Sequence, residues 1–95
     1  MPKAYWIARI DVHDPETYKK YVEANGPAFV RYNAKFLARG GKTDVLEGPG
    51  RGRNVVIEFA SMADAQACYH SPEYTAAKAF RLQASTGEFI LVEGI

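Results

Sequence analysis

A chain of 95 residues, 47% apolar and 24% charged, suits one soluble globular domain spanning residues 1–95, with a core large enough to fold alone and small enough to gain from a partner. Net charge is +1, with twelve Lys and Arg scattered among eleven acids, so there is no basic stripe to recruit nucleic acid or a membrane surface. No window approaches the roughly 20 apolar residues that span a bilayer. The opening Met-Pro-Lys-Ala-Tyr-Trp lacks a signal-peptide pattern and the lone Cys68 cannot close an internal disulfide, so a cytoplasmic protein is expected.

Ala4 to Val12 alternates as a strand, with Trp6, Ala8, Ile10 and Val12 on an apolar face and Tyr5, Ile7, Arg9 and Asp11 on a mixed one. After His13, Asp14-Pro15-Glu16 combines a cap, a first-turn proline and a first-turn acid, which starts a helix. Tyr18, Tyr21 and Val22 form its apolar stripe. Gly26-Pro27 disfavours helical backbone, so a kinked or two-part helix ending near Asn33 is predicted. Lys35 to Gly41 reads as a second strand, continued over Lys42 to Glu47 after a bulge at Gly40-Gly41. Gly48 to Gly52 is a turn, and Asn54 to Ala60 a third strand with Val55, Ile57 and Phe59 on one face.

Ser61 caps a short helix with the apolar stripe Met62, Ala65 and Tyr69. A second helix follows at once, because Ser71-Pro72-Glu73 repeats the start chemistry, and it runs to about Ala84. Gly87 to Val92 or Glu93 is the last strand. This order gives an α+β, ferredoxin-like βαββαβ sandwich with a four-stranded antiparallel sheet and helices on one face. The other face would carry Tyr5, Ile7, Arg9, Val56, Glu58 and some of Leu37, Arg39, Ile90 and Val92. Such an apolar face calls for a cover, and a homodimer packed sheet against sheet, with Arg–Glu pairs inside, would supply one.

Several stretches resemble a family known as domain of unknown function thirteen-thirty. They are Tyr5-Trp6-Ile7-Ala8, Asp14-Pro15-Glu16 with Tyr18, Phe36-Leu37-Ala38-Arg39-Gly40-Gly41, Val56-Ile57-Glu58-Phe59 and Tyr69-His70-Ser71-Pro72-Glu73-Tyr74. The resemblance covers nearly the whole chain and implies a dimeric α/β barrel, in which two ferredoxin-like sheets join. The family has no assigned activity; more distantly it is similar to cofactor-free monooxygenases, haem-degrading enzymes and small isomerases. The haem-degrading members use an Asn, Trp and His set. Trp6 and His70 are present here, but no Asn stands at the matching place in the first strand, which argues against haem chemistry. No cofactor is expected.

His13 beside Asp11 and Asp14 reads as a general base or as a polar loop residue. His70, before the Ser71 cap, reads as a proton handler or as a stabilising cation at a helix C-terminus. The two lie far apart in sequence without metal-ligand spacing, and no metal site is expected. Arg9, Arg31, Arg39 and Arg81 are candidates to hold a ligand's carboxylate through paired hydrogen bonds, with Arg9 and Arg39 preferred. Equally, Arg39 could form an ion pair with Glu58 across a dimer. Tyr18, Tyr21, Tyr32, Tyr69 and Tyr74 suit the wall of a small-molecule pocket or the wet edge of a core, and Tyr18 and Tyr69 are the preferred ligand contacts. Cys68 reads as a buried, inert thiol. Two functional readings follow. One is a small-molecule binder or cofactor-free enzyme, monooxygenase- or isomerase-like, with a pocket between sheet and helices for an anionic or aromatic compound. The other is a non-catalytic homodimeric structural or stress-related module, whose arginines only join the two sheets.

Overall fold

The computed structural model describes residues 2–95. Its elements run β1 (Ala4–Val12), α1 (Pro15–Arg31), β2 (Lys35–Arg39), β3 (Arg53–Phe59), α2 (Met62–His70), α3 (Pro72–Ala84) and β4 (Ser85–Glu93). The strands form one antiparallel sheet in the order β2-β3-β1-β4, and the fold is ferredoxin-like. No helix of the described residues is long and apolar enough to cross a membrane.

The caps act as their chemistry dictates. Asp14 accepts from the Thr17 backbone N–H at 3.2 Å, Ser61 from Asp64 at 3.1 Å and Ser71 from Tyr74 at 3.1 Å. Ser71 also donates to the Cys68 carbonyl at 2.7 Å, so one side chain closes α2 and opens α3. The strand periodicity sorts β1 cleanly: Ala4, Trp6, Ala8 and Ile10 are buried and Arg9 and Asp11 exposed. Trp6 is the centre of the core. Tyr74 meets its ring edge-on at 4.8 Å and Phe29 at 5.4 Å, and Phe59 stacks at 6.1 Å. Each such pair adds roughly 0.5–1.5 kcal/mol beyond burial. Between the helices, the hydroxyls of Tyr21 and Tyr74 share a buried hydrogen bond of 2.7 Å, which satisfies both phenols where water cannot reach.

Several expectations are corrected. Helix α1 passes through Gly26-Pro27 as one element and ends at Arg31, because the packing of Ala28 and Phe29 into the core holds helical backbone despite the hydrogen bond Pro27 forfeits. Strand β2 stops at Arg39, and Gly40 leaves the sheet with φ +68°. Residues 42–47 form no strand. The bulge lies at Leu37, three residues before Gly40: Phe36 pairs with Ile57 and Ala38 with Val56, leaving Leu37 extra. Strand β4 starts at Ser85, directly on the end of α3, because Val12 and Ile10 of β1 pair with Ser85 and Gly87.

The helices leave part of the sheet open. Helix α1 packs chiefly on α3 rather than down on β2, so apolar Val22 and Val30, the latter 78% exposed, do not reach the sheet. The opposite sheet face has no helix, and partly exposed Tyr5, Ile7, Val56, Ile90 and Val92 occupy it.

Candidate functional site

The gap between α1 and the β2–β3–β1 side of the sheet is a cavity of about 480 Å³, within the range that takes small-molecule ligands. Its floor is Trp6, Ala8, Ile10, Val55 and Ile57, the inward face of β1 and β3. Its roof is the stripe Tyr18, Tyr21, Val22, Asn25, Gly26, Phe29, Val30 and Asn33 of α1 and the turn after it. Those residues recur at helical spacing, so one face of a single helix supplies the whole roof. Phe36 and Arg39 close one side, Phe89 the other, and Arg53 reaches in from the start of β3. The lining therefore combines aromatic walls, amide and phenol groups and two cations. Neither a carboxylate nor an imidazole is among them.

The bulge at Leu37 explains how Arg39 arrives there. Strict alternation from Phe36 would put Arg39 on the uncovered face, as the sequence suggested. The extra residue restores it to the face of Phe36 and Val55, and its guanidinium lies over the Phe36 ring at 4.2 Å. Within the chain Glu58 faces the other way and meets Lys3 Nζ at 3.4 Å, while the pair expected with Arg39 is one between two copies. Arg53 rests over the Tyr18 ring at 5.4 Å. It lies so close to Gly40 that a Cβ there would stand 2.5 Å from its Nη1, so a side chain at this position would push the guanidinium aside, while the positive φ favours glycine in its own right. The Arg53 Nε is buried without an acceptor. Among the described residues no carboxylate pairs with Arg39 or Arg53.

Tyr18 thus lines the cavity with Arg39, while the other sequence candidates stand elsewhere. Arg9 lies on the uncovered face, where it donates to the Pro49 carbonyl at 3.1 Å and sits 3.9 Å from Glu88. There Arg51 donates from Nε to Glu88 at 2.9 Å and from Nη1 to Asp11 at 2.7 Å. The Gly52 backbone N–H and Arg51 hold the Asp11 carboxyl below its ordinary range, and Arg51 does the same for Glu88. Tyr69 is part of a smaller apolar cavity of about 270 Å³ with Trp6, Phe89, Ile90 and Leu91, so Trp6 and Phe89 form a wall common to both cavities. His13 is exposed in the link between β1 and α1, and only its backbone is engaged, donating to the Ala84 carbonyl at 2.9 Å. His70 is exposed at the end of α2, its ring edge-on to Tyr69 at 5.2 Å. Arg31 pairs with Glu73 at 2.8 Å. Cys68 is fully buried, and desolvation pushes its thiol up to about 12, which leaves it inert at neutral pH.

Arg53, Asn25 and Asn33 were not among the sequence candidates. Arg53 stands at the flank of a glycine-rich turn, where a cation reads as solvated surface. Only its pairing with inward-facing Ile10 of β1 shows that it faces inward. Desolvation raises the Tyr18 hydroxyl, with Arg53 and Arg81 pulling the other way. A phenol in that state donates a hydrogen bond and does not ionise at neutral pH. The cavity can therefore bind and stabilise an anion through guanidinium and phenol donors. Among the described residues no three of His, Cys, Asp and Glu converge as a metal site.

Comparison with known structures agrees with the topology. A protein of unknown function from Rhodopseudomonas palustris superposes with a TM-score of 0.83 at 19% identity, covering 99% of this chain and 83% of that one. SnoaB, a cofactor-independent oxygenase from Streptomyces nogalater, superposes at 0.66 with 17% identity over 96% of this chain and 91% of its own. A dimeric ferredoxin-like protein of unknown function from Thermobifida fusca gives 0.64 at 19% identity, with 99% and 92% covered. At these identities the likeness is one of fold. No curated protein matches the chain. The family model described as domain of unknown function (DUF1330) matches residues 3–95, and the chain belongs to that family.

Proposed function

We propose that this protein, one ferredoxin-like unit over residues 1–95, is a cytoplasmic homodimer whose cavity holds a small aromatic, anionic molecule. The observation that carries the reading is the cavity of about 480 Å³, with aromatic walls and two arginines, Arg39 and Arg53, that have no acidic partner among the described residues. Arg39 is exposed and Arg53 half-buried, and cations without a counter-charge favour any ligand that brings one. The dimer follows from the uncovered sheet face. Tyr5, Ile7, Val56, Ile90 and Val92 form an apolar surface that a second copy would bury, and the T. fusca neighbour is described as dimeric.

Anion stabilisation by guanidinium and phenol groups is also what a cofactor-free oxygenase or isomerase needs when its substrate reacts as a resonance-stabilised anion. The SnoaB likeness is compatible with such an activity. His13 and His70 are our candidate proton handlers and Arg9 and Tyr69 further ligand contacts. None of the four lines the cavity; affinity should survive replacement of the histidines, while any turnover that uses them should not, and a loss of affinity on replacing Arg9 or Tyr69 would mark those two as contacts. The alternative, a module whose arginines only join two sheets, assigned Glu58 to Arg39. Arg39 instead stands opposite Val55, on the face away from Glu58, which supports the cavity.

Native mass spectrometry of freshly purified protein, repeated after denaturation, tests the proposal. A dimer with a defined extra mass that leaves on denaturation is expected. A monomer at micromolar concentration overturns the dimer. Arg39→Met removes charge and keeps bulk: an intact dimer with weakened ligand binding supports the cavity, and loss of the dimer supports the module.

A further inference from the structure

Helix α1 carries Asn25-Gly26-Pro27 in its interior. Proline and glycine are the two poorest residues for a helix interior, and asparagine ranks low. Pro27 has no N–H to give the Glu23 carbonyl, its partner in a regular helix. Glycine spares the helix the crowding that a Cβ meets before proline, but Pro27 itself is exposed and adds little packing. The step is not a hinge, because α1 is fixed on both sides of it. Before it, the Tyr21 hydroxyl bonds Tyr74 of α3 at 2.7 Å. After it, Ala28 and Phe29 are buried and Arg31 pairs with Glu73 of α3. Neither helix formation nor packing asks for these three residues.

The step does shape the cavity, since Asn25 and Gly26 lie in its roof. Gly26 has helical backbone, and a Cβ there would meet no atom within 4 Å, so the fold does not need glycine for space. The volume that a methyl group would take is left to the cavity, and bare backbone lets a flat ring come close. Half-buried Asn25 adds an amide that both donates and accepts, whereas Arg39 and Arg53 only donate. Residues that break a local rule with no structural return mark functional positions. Resting on the cavity reading above, we infer that Asn25 and Gly26 select the ligand. Its ring lies against the α1 backbone at Gly26, and the Asn25 amide bonds a neutral hydroxyl or carbonyl on that ring. The ligand is then a hydroxylated or oxo-substituted aromatic acid, with its acid toward Arg39 and Arg53 and its neutral polar group toward α1.

The test titrates benzoate, 2-naphthoate and the ring-hydroxylated 2-naphthoates calorimetrically into wild type, Asn25→Ala, Pro27→Ala and the double variant Gly26→Ala/Pro27→Ala, in which no Cβ precedes a proline. Wild type should bind its best hydroxynaphthoate about threefold to tenfold tighter than 2-naphthoate. Asn25→Ala should lose that margin and keep its 2-naphthoate affinity. Pro27→Ala should bind as wild type does. The double variant should bind every naphthoate about tenfold weaker than Pro27→Ala, because the added methyl group overfills the roof, and should bind benzoate equally well. Unliganded, Asn25→Ala should melt no lower than wild type and the double variant no lower than Pro27→Ala, since alanine is the better helix residue. Wild type that binds no probe overturns the cavity reading and the inference together. Equal affinity of wild type for plain and hydroxylated naphthoates, or variants that bind every probe as their parents do, overturns the inference and leaves the cavity standing. A variant that melts lower than its parent and loses all probes alike marks the step as structural and overturns the inference. Should the double variant fail to fold, the hydroxyl margin of Asn25→Ala decides.

Discussion

On the uncovered face of the sheet, Arg9 lies beside Glu88, Arg51 beside Asp11 and Glu88, and Lys3 beside Glu58. On the helix side, Arg39, Arg53 and Arg81 have aromatic rings for neighbours and no acid among the described residues. Desolvation alone would favour the reverse, since an enclosed cation needs its counter-charge more than an exposed one. The two faces therefore answer different demands. The pairs on the open face fix the long connection from residue 40 to residue 52 against β1 and β4, through Arg51 and the bonds of Asp11 to Gly52 and of Arg9 to Pro49. The unpaired arginines fit the proposed ligand, which would bring the acid they lack.

The strongest blow to the helix side is Trp6→Ala. It removes the ring common to both cavities and should cost about 3–5 kcal/mol in denaturant unfolding. A loss under about 1 kcal/mol would mean that Trp6 is a cavity wall more than a core residue. Tyr74→Phe sharpens the contrast more gently. It strands the Tyr21 hydroxyl in a buried site and should cost about 1–3 kcal/mol by the same measurement. Tyr21→Phe made together with it should recover part of that loss, since no phenol is then left unpaired.

Gly40→Ala probes the point where β2 gives way to the connection. The left-handed backbone and the clash with Arg53 should together cost about 1 kcal/mol, and the displaced Arg53 should weaken ligand binding. Unchanged affinity would show that Arg53 does not need its place against Gly40. The smallest effects belong to the open face. Arg51→Met should speed limited proteolysis between residues 40 and 52 while leaving cavity binding untouched. Asp11 and Glu88 have folded-state values below their ordinary ones. Their stabilisation is thus complete above the ordinary carboxylate range and is lost as pH falls through the lowered values. Proteolysis of the wild-type connection should accelerate on acidification below about pH 4, and a flat profile for Arg51→Met would confirm the shared cause.

Much of the fold was legible because local signals agree with one another. The alternation of β1 and the cap, proline and acid series at Asp14 and Ser71 each point to one structure. Pro27 misled because a local backbone preference was outweighed by Ala28 and Phe29, which lock into the core only in three dimensions. The bulge was misplaced because Gly40-Gly41 advertises irregularity, whereas Leu37 carries no such mark. That one residue turned Arg39 from the outer face to the inner. Arg81 was recognisable as a candidate, but its isolation from every acid was not, since that depends on what α3 and β4 bring around it. Arg53 was invisible beside a glycine-rich turn for the same reason.

The bulge at Leu37 makes pairing register a determinant of sidedness. Removing Leu37 would leave every charged residue of the chain in place and restore regular pairing along β2, with Lys35 and Arg39 still on opposite faces. Arg39 would keep its place opposite Val55, on the cavity side. If instead the bulge closed with Leu37 retained, Arg39 would swap faces, so in this segment a slip in pairing, with no change of sequence, carries a positive charge through the sheet.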